Sequence, residues 1–220
     1  MVSSIISGVA ADLWPSNKKD RIDRMRFVEL WVRFAAPALD PNLVSVPLLV
    51  GWLRTKGRIA EAELIETLRP RCFGLGYLSR ILTSADVDLD ESAILVTCGK
   101  LSLQQIRKYS YGSVFYEHVR SALVHEYHLG EDATTWPMTS SCAGVSYTNV
   151  VDVENREGQH RQIHFTIEWL ADLVRSIAAS AEDDFRNAPL ETPVDWWVVP
   201  SAVQMGQPNK SRQPTSGARR

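Results

Sequence analysis

Between Phe115 and Gly130 the chain reads FYEHVRSALVHEYHLG, which gathers His118, Arg120, Ser121, His125 and His128 into one short stretch. Histidine is the side chain whose ordinary pKa lies near neutrality, so it can take or give a proton under mild conditions. Arginine keeps its charge and grips a phosphate through parallel N–H donors. Together these types can meet on one phosphate. On a helix drawn at about 100° per residue, His118, Ser121, His125 and His128 fall within roughly 80° of one another, with Glu117 beside them. The opposite face carries Phe115, Tyr116, Val119, Ala122, Leu123 and Tyr127, enough apolar surface to anchor the helix. A solvated face is normally built from Lys and Glu, and the histidines set this one apart. Arg120 and His125 are separated by about 140° in an ideal helix. A long guanidinium can curl round that distance, and a π-bulge would align residue i with i+5.

The phrase R-S-A-L-V-H, Arg120 to His125, resembles the R-x(4–6)-H motif of the HEPN family, the higher eukaryotes and prokaryotes nucleotide-binding domains. FYEHVRSALVHEYHLG is similar to that family's signature helix, and DRMRFVELWVRFAAP with VSVPLLVGWLR is similar to the opening helices of several bacterial members. The resemblance covers most of residues 20 to 180. It implies a mainly α, HEPN-like helical bundle that pairs into a homodimer. It also implies a metal-independent endoribonuclease in which the Arg and His of both subunits meet in a cleft, activate a 2′-hydroxyl and leave a cyclic phosphate. Carried over by residue, the catalytic roles fall to Arg120 and His125, with Ser121, His118 and His128 in support. The implied partners are a second copy, RNA, and an antitoxin or other protein, in the setting of toxins or phage defence. No cofactor and no metal are expected. Ser121 is a departure, because active members frequently carry Asn, Asp or His directly after the Arg. Other members are non-catalytic dimerisation or nucleotide- and RNA-binding modules, which is the alternative reading.

The elements that must position this helix follow from periodicity. Lys18 to Ala36 sets Ile22, Met25, Phe27, Leu30, Trp31 and Phe34 at helical spacings, with Asp20 as a cap and Pro37 as the stop. After a turn at Asp40 to Asn42, Pro47 suits a first helical turn, and Leu48, Leu49, Trp52 and Leu53 repeat at helical spacing before Gly57. Further helices are expected over Ile59 to Leu68, Ser102 to Tyr109 and Ser113 to Leu129. The middle of the chain suggests short helices, with the acidic patch Asp86 to Glu91 as a surface loop. VSYTNVVDVE then changes to a period of two and QHRQIHF answers it across NREG, which predicts a β-hairpin at about 145–165. Ile167, Leu170, Leu173, Val174, Ile177 and Ala178 return to a helical stripe. The hairpin reads as an accessory flap inserted between core helices. One HEPN-like domain over 20–199 is therefore expected, with residues 1–19 as an N-terminal extension. The Gly-, Pro-, Ser- and Gln-rich tail 200–220 is expected to be disordered.

Composition narrows the classes. With 24 Lys plus Arg against 26 Asp plus Glu in 220 residues, no global field draws the chain to nucleic acid or an anionic membrane, so any RNA contact must be local. Cys72, Cys98 and Cys142 are odd in number and far apart, which argues against a disulfide framework or a zinc ribbon and fits a reducing cytoplasm. The N-terminus lacks a basic leader, and no run approaches the ~20 apolar residues of a membrane span. His125 and His128, with His160 and His164 from the hairpin's wet face, form the rival metal reading. Trp136, Trp196 and Trp197 read either as stacking platforms for a base or as closers of a core, the second being the commoner use of tryptophan.

Overall fold

The computed structural model describes residues 2–15, 22–40, 42–69, 82–125, 128–134, 144–151, 159–187 and 190–198. The helical layer consists of α1 (Val2–Leu13), α2 (Asp23–Phe34), α3 (Val46–Thr55), α4 (Ile59–Glu66) and α10 (Ile167–Asn187), with short helices α5 (Ser84–Val87), α6 (Glu91–Thr97) and α7 (Leu103–Arg107) between them. One continuous helical stretch runs through α8 (Tyr111–Val114), a π-helix (Phe115–Ser121) and α9 (Ala122–His125). The protein is mainly helical, as its periodicity predicts. Among the described residues no helix is long and apolar enough to cross a membrane. The tail 200–220, Asp20, Trp136, Cys72, Cys142 and the NREG turn lie outside the described residues.

α2 buries Phe27, Val28, Leu30 and Trp31 almost completely, and α1 and α10 pack against it. Residues 1–19 are expected as an N-terminal extension, yet α1 places Ile6, Ala10 and Leu13 in the core, and Trp14, one residue past its end, is buried with them. The Ser and Gly between those apolar positions dilute the signal along the sequence, while all four buried residues share one helical face.

The hairpin forms as read: β4 (Val145–Val151) pairs antiparallel with β5 (Gln159–Phe165), so that Val145 faces Phe165 and Tyr147 faces Ile163. Its role as a flap is overturned. β2 (Leu82–Thr83) adds a third strand to β4, and Val145, Tyr147, Ile163 and Phe165 are all buried. The sheet is a wall of the core, because its apolar face packs on the rings of α2, α8 and α10. Phe165 lies 5.4 Å from Phe115 and 5.6 Å from Trp169 between ring centroids. Burying such side chains contributes about 1.5–3 kcal/mol each, more than a two-stranded ribbon could gain alone.

The acidic patch is corrected as well. Asp86 caps α5 through a box with Thr83, and Leu89 and Asp90 form β3 against Leu43 and Val44 of β1. Asp88, between them, is buried. Its Oδ1 accepts from the Val46 N–H at 3.1 Å at the start of α3, and its Oδ2 accepts from the hydroxyls of Tyr111 at 2.5 Å and Tyr147 at 2.6 Å. Burial pushes the Asp88 carboxyl up to about 7, against the pull of its three donors, and holds both tyrosine hydroxyls well above their ordinary range. The Ser45 hydroxyl, 3.0 Å away, donates to the Tyr147 oxygen.

The tryptophans near the C-terminal end close the core. Trp196 meets Trp14 edge-on at 5.8 Å. Arg107 stacks 4.6 Å over Trp197 and donates to its carbonyl at 2.9 Å. The Trp197 N–H donates to buried Glu29 at 2.7 Å.

Candidate functional site

The helix that carries Arg120 and His125 is not a uniform α-helix. From Phe115 to Ser121 it opens into π geometry, which inserts one extra residue into the turn. Phe115 is held in the aromatic core by Phe27, Trp31 and Phe165, and Tyr116 packs edge-on against Phe27 at 5.2 Å. Two consecutive aromatic side chains are thus fixed on one side of the helix, and the widened turn accommodates both. The π geometry runs mainly upstream of Arg120, while Ala122–His125 is α-helical. The wide turn therefore does not by itself bring Arg120 onto His125, and among the described residues no hydrogen bond joins them.

Arg120 is half-buried and points across to α1. Its guanidinium carbon lies 5.1 Å from the centre of the Tyr116 ring, and Nε donates to Ser7 Oγ at 3.4 Å. A cation over an aromatic face gains about 0.5–1 kcal/mol where water competes. His125 is exposed at the end of the described helix. Leu123 and Val124 beside it are 43% and 51% exposed, so Leu123 leaves the buried face assigned to it by an ideal wheel. The extra residue of the π segment puts that wheel out of phase beyond Ser121. Ser121 is half-buried, and Ala122 is buried.

His118 has a different setting. The helix expected to reach Leu129 has ended by His128, and the chain from there to Thr134 folds back along the π segment. The Gly130 N–H donates to the His118 carbonyl at 2.8 Å, an acceptor left available by the widened helical turn. A Cβ on Gly130 would stand 3.0 Å from His118 Cα and 2.8 Å from its Nδ1, so only glycine fits without displacement. The same loop brings Asp132 Oδ2 to 3.4 Å from His118 Nε2, an arrangement that can orient the imidazole. His128 Nδ1 lies 2.6 Å from the Leu129 carbonyl. Glu117 pairs with Arg24 at 3.6 Å.

His164 was expected on the wet face of the hairpin. It is 8% exposed, with Nδ1 3.1 Å from the Thr134 carbonyl, because the returning loop runs beside β5 and covers that face. Among the described residues no group of three or more His, Cys, Asp and Glu is placed to hold a metal ion.

The sequence puts His118, Arg120, Ser121 and His125 on one helical stretch with Tyr116 among its anchors, and gives no sign of Ser7, Gly130 and Asp132 as further groups that hold it. The Gly130 and Asp132 contacts arise from a chain reversal that no local period announces. Against family models, curated proteins and solved structures, the chain matches none.

Proposed function

We propose that the protein is a HEPN-type, metal-independent endoribonuclease whose active site is completed by a second copy of the chain. The observation that carries this reading is the exposed run Leu123, Val124 and His125 beside an Arg120 held by Tyr116 and Ser7. Two adjacent apolar side chains next to an accessible imidazole suit a helix-to-helix contact. Such a contact sets the His125 of one copy near the Arg120 of the other. His125 then takes the 2′-hydroxyl proton or supplies one to the leaving oxygen, and Arg120 holds the phosphorane charge. His118, oriented by Asp132, is the second proton carrier of the cleft, with Ser121 and His128 at its rim. A toxin or phage-defence role, with an antitoxin or other protein as partner, follows from the same resemblance.

The test is cleavage of RNA by the purified chain. Activity is expected to survive EDTA, to stop at a substrate with a 2′-deoxy sugar at the scission point, and to leave a cyclic phosphate. His125→Ala and Arg120→Ala should each lower the rate by ~10²- to 10⁴-fold. Diverse RNAs left intact, or variants that cut like the parent, would reject the nuclease reading. One observation favours a non-catalytic binding module instead: the Arg120 guanidinium already engages Tyr116 and Ser7 within its own chain. In that case RNA is bound and retained uncut, and Arg120→Ala weakens binding.

A further inference from the structure

A cavity of about 890 Å³ opens where the first turn of α10 meets the π-helix, β5 and the 3-10 turn Pro37–Leu39. That volume lies within the range of small-molecule sites. The wall is aromatic: Tyr111 meets Trp169 at 6.0 Å and Phe165 at 5.9 Å, and Phe115 completes the group. His164 reaches the lining from the buried layer. Its Nδ1 faces a carbonyl, which only accepts, so in the neutral imidazole Nδ1 carries the hydrogen and Nε2 is the acceptor.

The charges of the lining all have one sign. Asp40, Glu168 and Asp172 contribute carboxylates, and among the described lining residues there is no Lys or Arg. Asp172 is paired with Arg175, outside the lining. Asp40 and Glu168 are exposed and make no ion pair among the described residues. The N-terminus of α10 also faces this space, but Thr166 Oγ1 accepts from the Trp169 N–H at 3.3 Å, and the Glu168 carboxylate in the first turn opposes an incoming anion. The cavity therefore offers acceptors, negative charge and ring faces, which disfavour phosphate or carboxylate and favour a cation.

We propose that this cavity binds an aromatic ammonium, a compound with a planar ring and a protonated amine. The ring packs against the half-buried Trp169, backed by buried Tyr111 and Phe165, and the ammonium lies toward Glu168 and Asp40 with a hydrogen bond available to His164 Nε2. This site is separate from the Arg120 and His125 helix face and does not rest on the ribonuclease reading.

Three indoles of one shape and different charge form the test, with binding to the full chain measured by calorimetry: tryptamine, neutral tryptophol and indole-3-acetate. Tryptamine should bind most tightly and indole-3-acetate about tenfold or more weakly. Glu168→Gln and Asp40→Asn, both at exposed positions, should narrow that gap while preserving the fold. Trp169→Phe should weaken all three ligands and keep their order. Binding that ignores ligand charge, an anion bound as tightly as the amine, no binding of any of the three at millimolar concentration, or a charge preference unchanged in both mouth variants would each overturn the proposal.

Discussion

Two polar groups along the Tyr111–His125 stretch have opposite surroundings. At its start Tyr111 shares the buried Asp88 carboxylate with Tyr147 and the Val46 N–H, so each polar atom of that group has a partner. At its end His125 stands in solvent beside exposed Leu123 and Val124, and Arg120 is only loosely held. The first arrangement joins β3, α3, α8 and β4 into one unit. The second leaves its hydrogen-bonding capacity for a ligand or a second chain. Buried polar networks contribute to stability and specificity when satisfied and are costly when broken, whereas accessible groups at a site contribute little to the fold.

Removing the carboxylate should have the largest effect on stability. Asp88→Ala deprives one N–H and two hydroxyls of their acceptor in the core, which is expected to cost about 3 kcal/mol or more in urea unfolding. A loss under about 1 kcal/mol would show that the network is not a structural centre.

The pH dependence of Asp88 comes next. Its carboxyl is raised from 3.8 to about 7 by burial, so the folded state binds a proton that the unfolded state has released between those values. Its contribution to stability is therefore full below about pH 4 and is lost as pH rises through about 7. Between pH 5 and pH 8 the parent should lose roughly 2–3 kcal/mol relative to Asp88→Asn, which cannot titrate. Parallel stability curves for parent and variant would contradict this assignment.

Gly130→Ala should cost about 1–3 kcal/mol, because the new Cβ must push the returning loop off His118. Faster amide exchange at Gly130 and Ala133 would locate the damage. The smallest stability effect is expected at the exposed end: His125→Ala should change unfolding by no more than about 0.5 kcal/mol while removing RNA cleavage. A variant that unfolds easily would mean that the imidazole belongs to the fold and not to a site.

The hairpin and the helices α2, α3, α4 and α10 were legible because they arise from neighbours in sequence, whereas α1 as part of the core and the place of the widened turn were not. Val145, Tyr147, Ile163 and Phe165 alternate, and the apolar stripe of α10 repeats at helical spacing. The Asp88 network was not legible. Asp86, Asp88, Asp90 and Glu91 have the composition of a solvated loop, and only the approach of Tyr111 and Tyr147, 23 and 59 positions away, makes one of them a core residue. Strand β2 is two residues long and has no period to detect. Arg120 and His125 were singled out by residue type and by resemblance to a short motif, but the direction of each depends on α1 and on the extra residue of the π segment.

The edge-on meeting of Trp14 with Trp196 has a consequence for synthesis. The two partners are separated by nearly the whole described chain, so Phe34 and Arg33 of α2 can meet Trp14 early, while the edge-on contact of Trp196 is missing until residues 196–198 have been made and released. At about 5–20 residues per second that interval is roughly 10–40 s. During it, the side of Trp14 that Trp196 later meets is accessible to chaperones or to a neighbouring nascent chain.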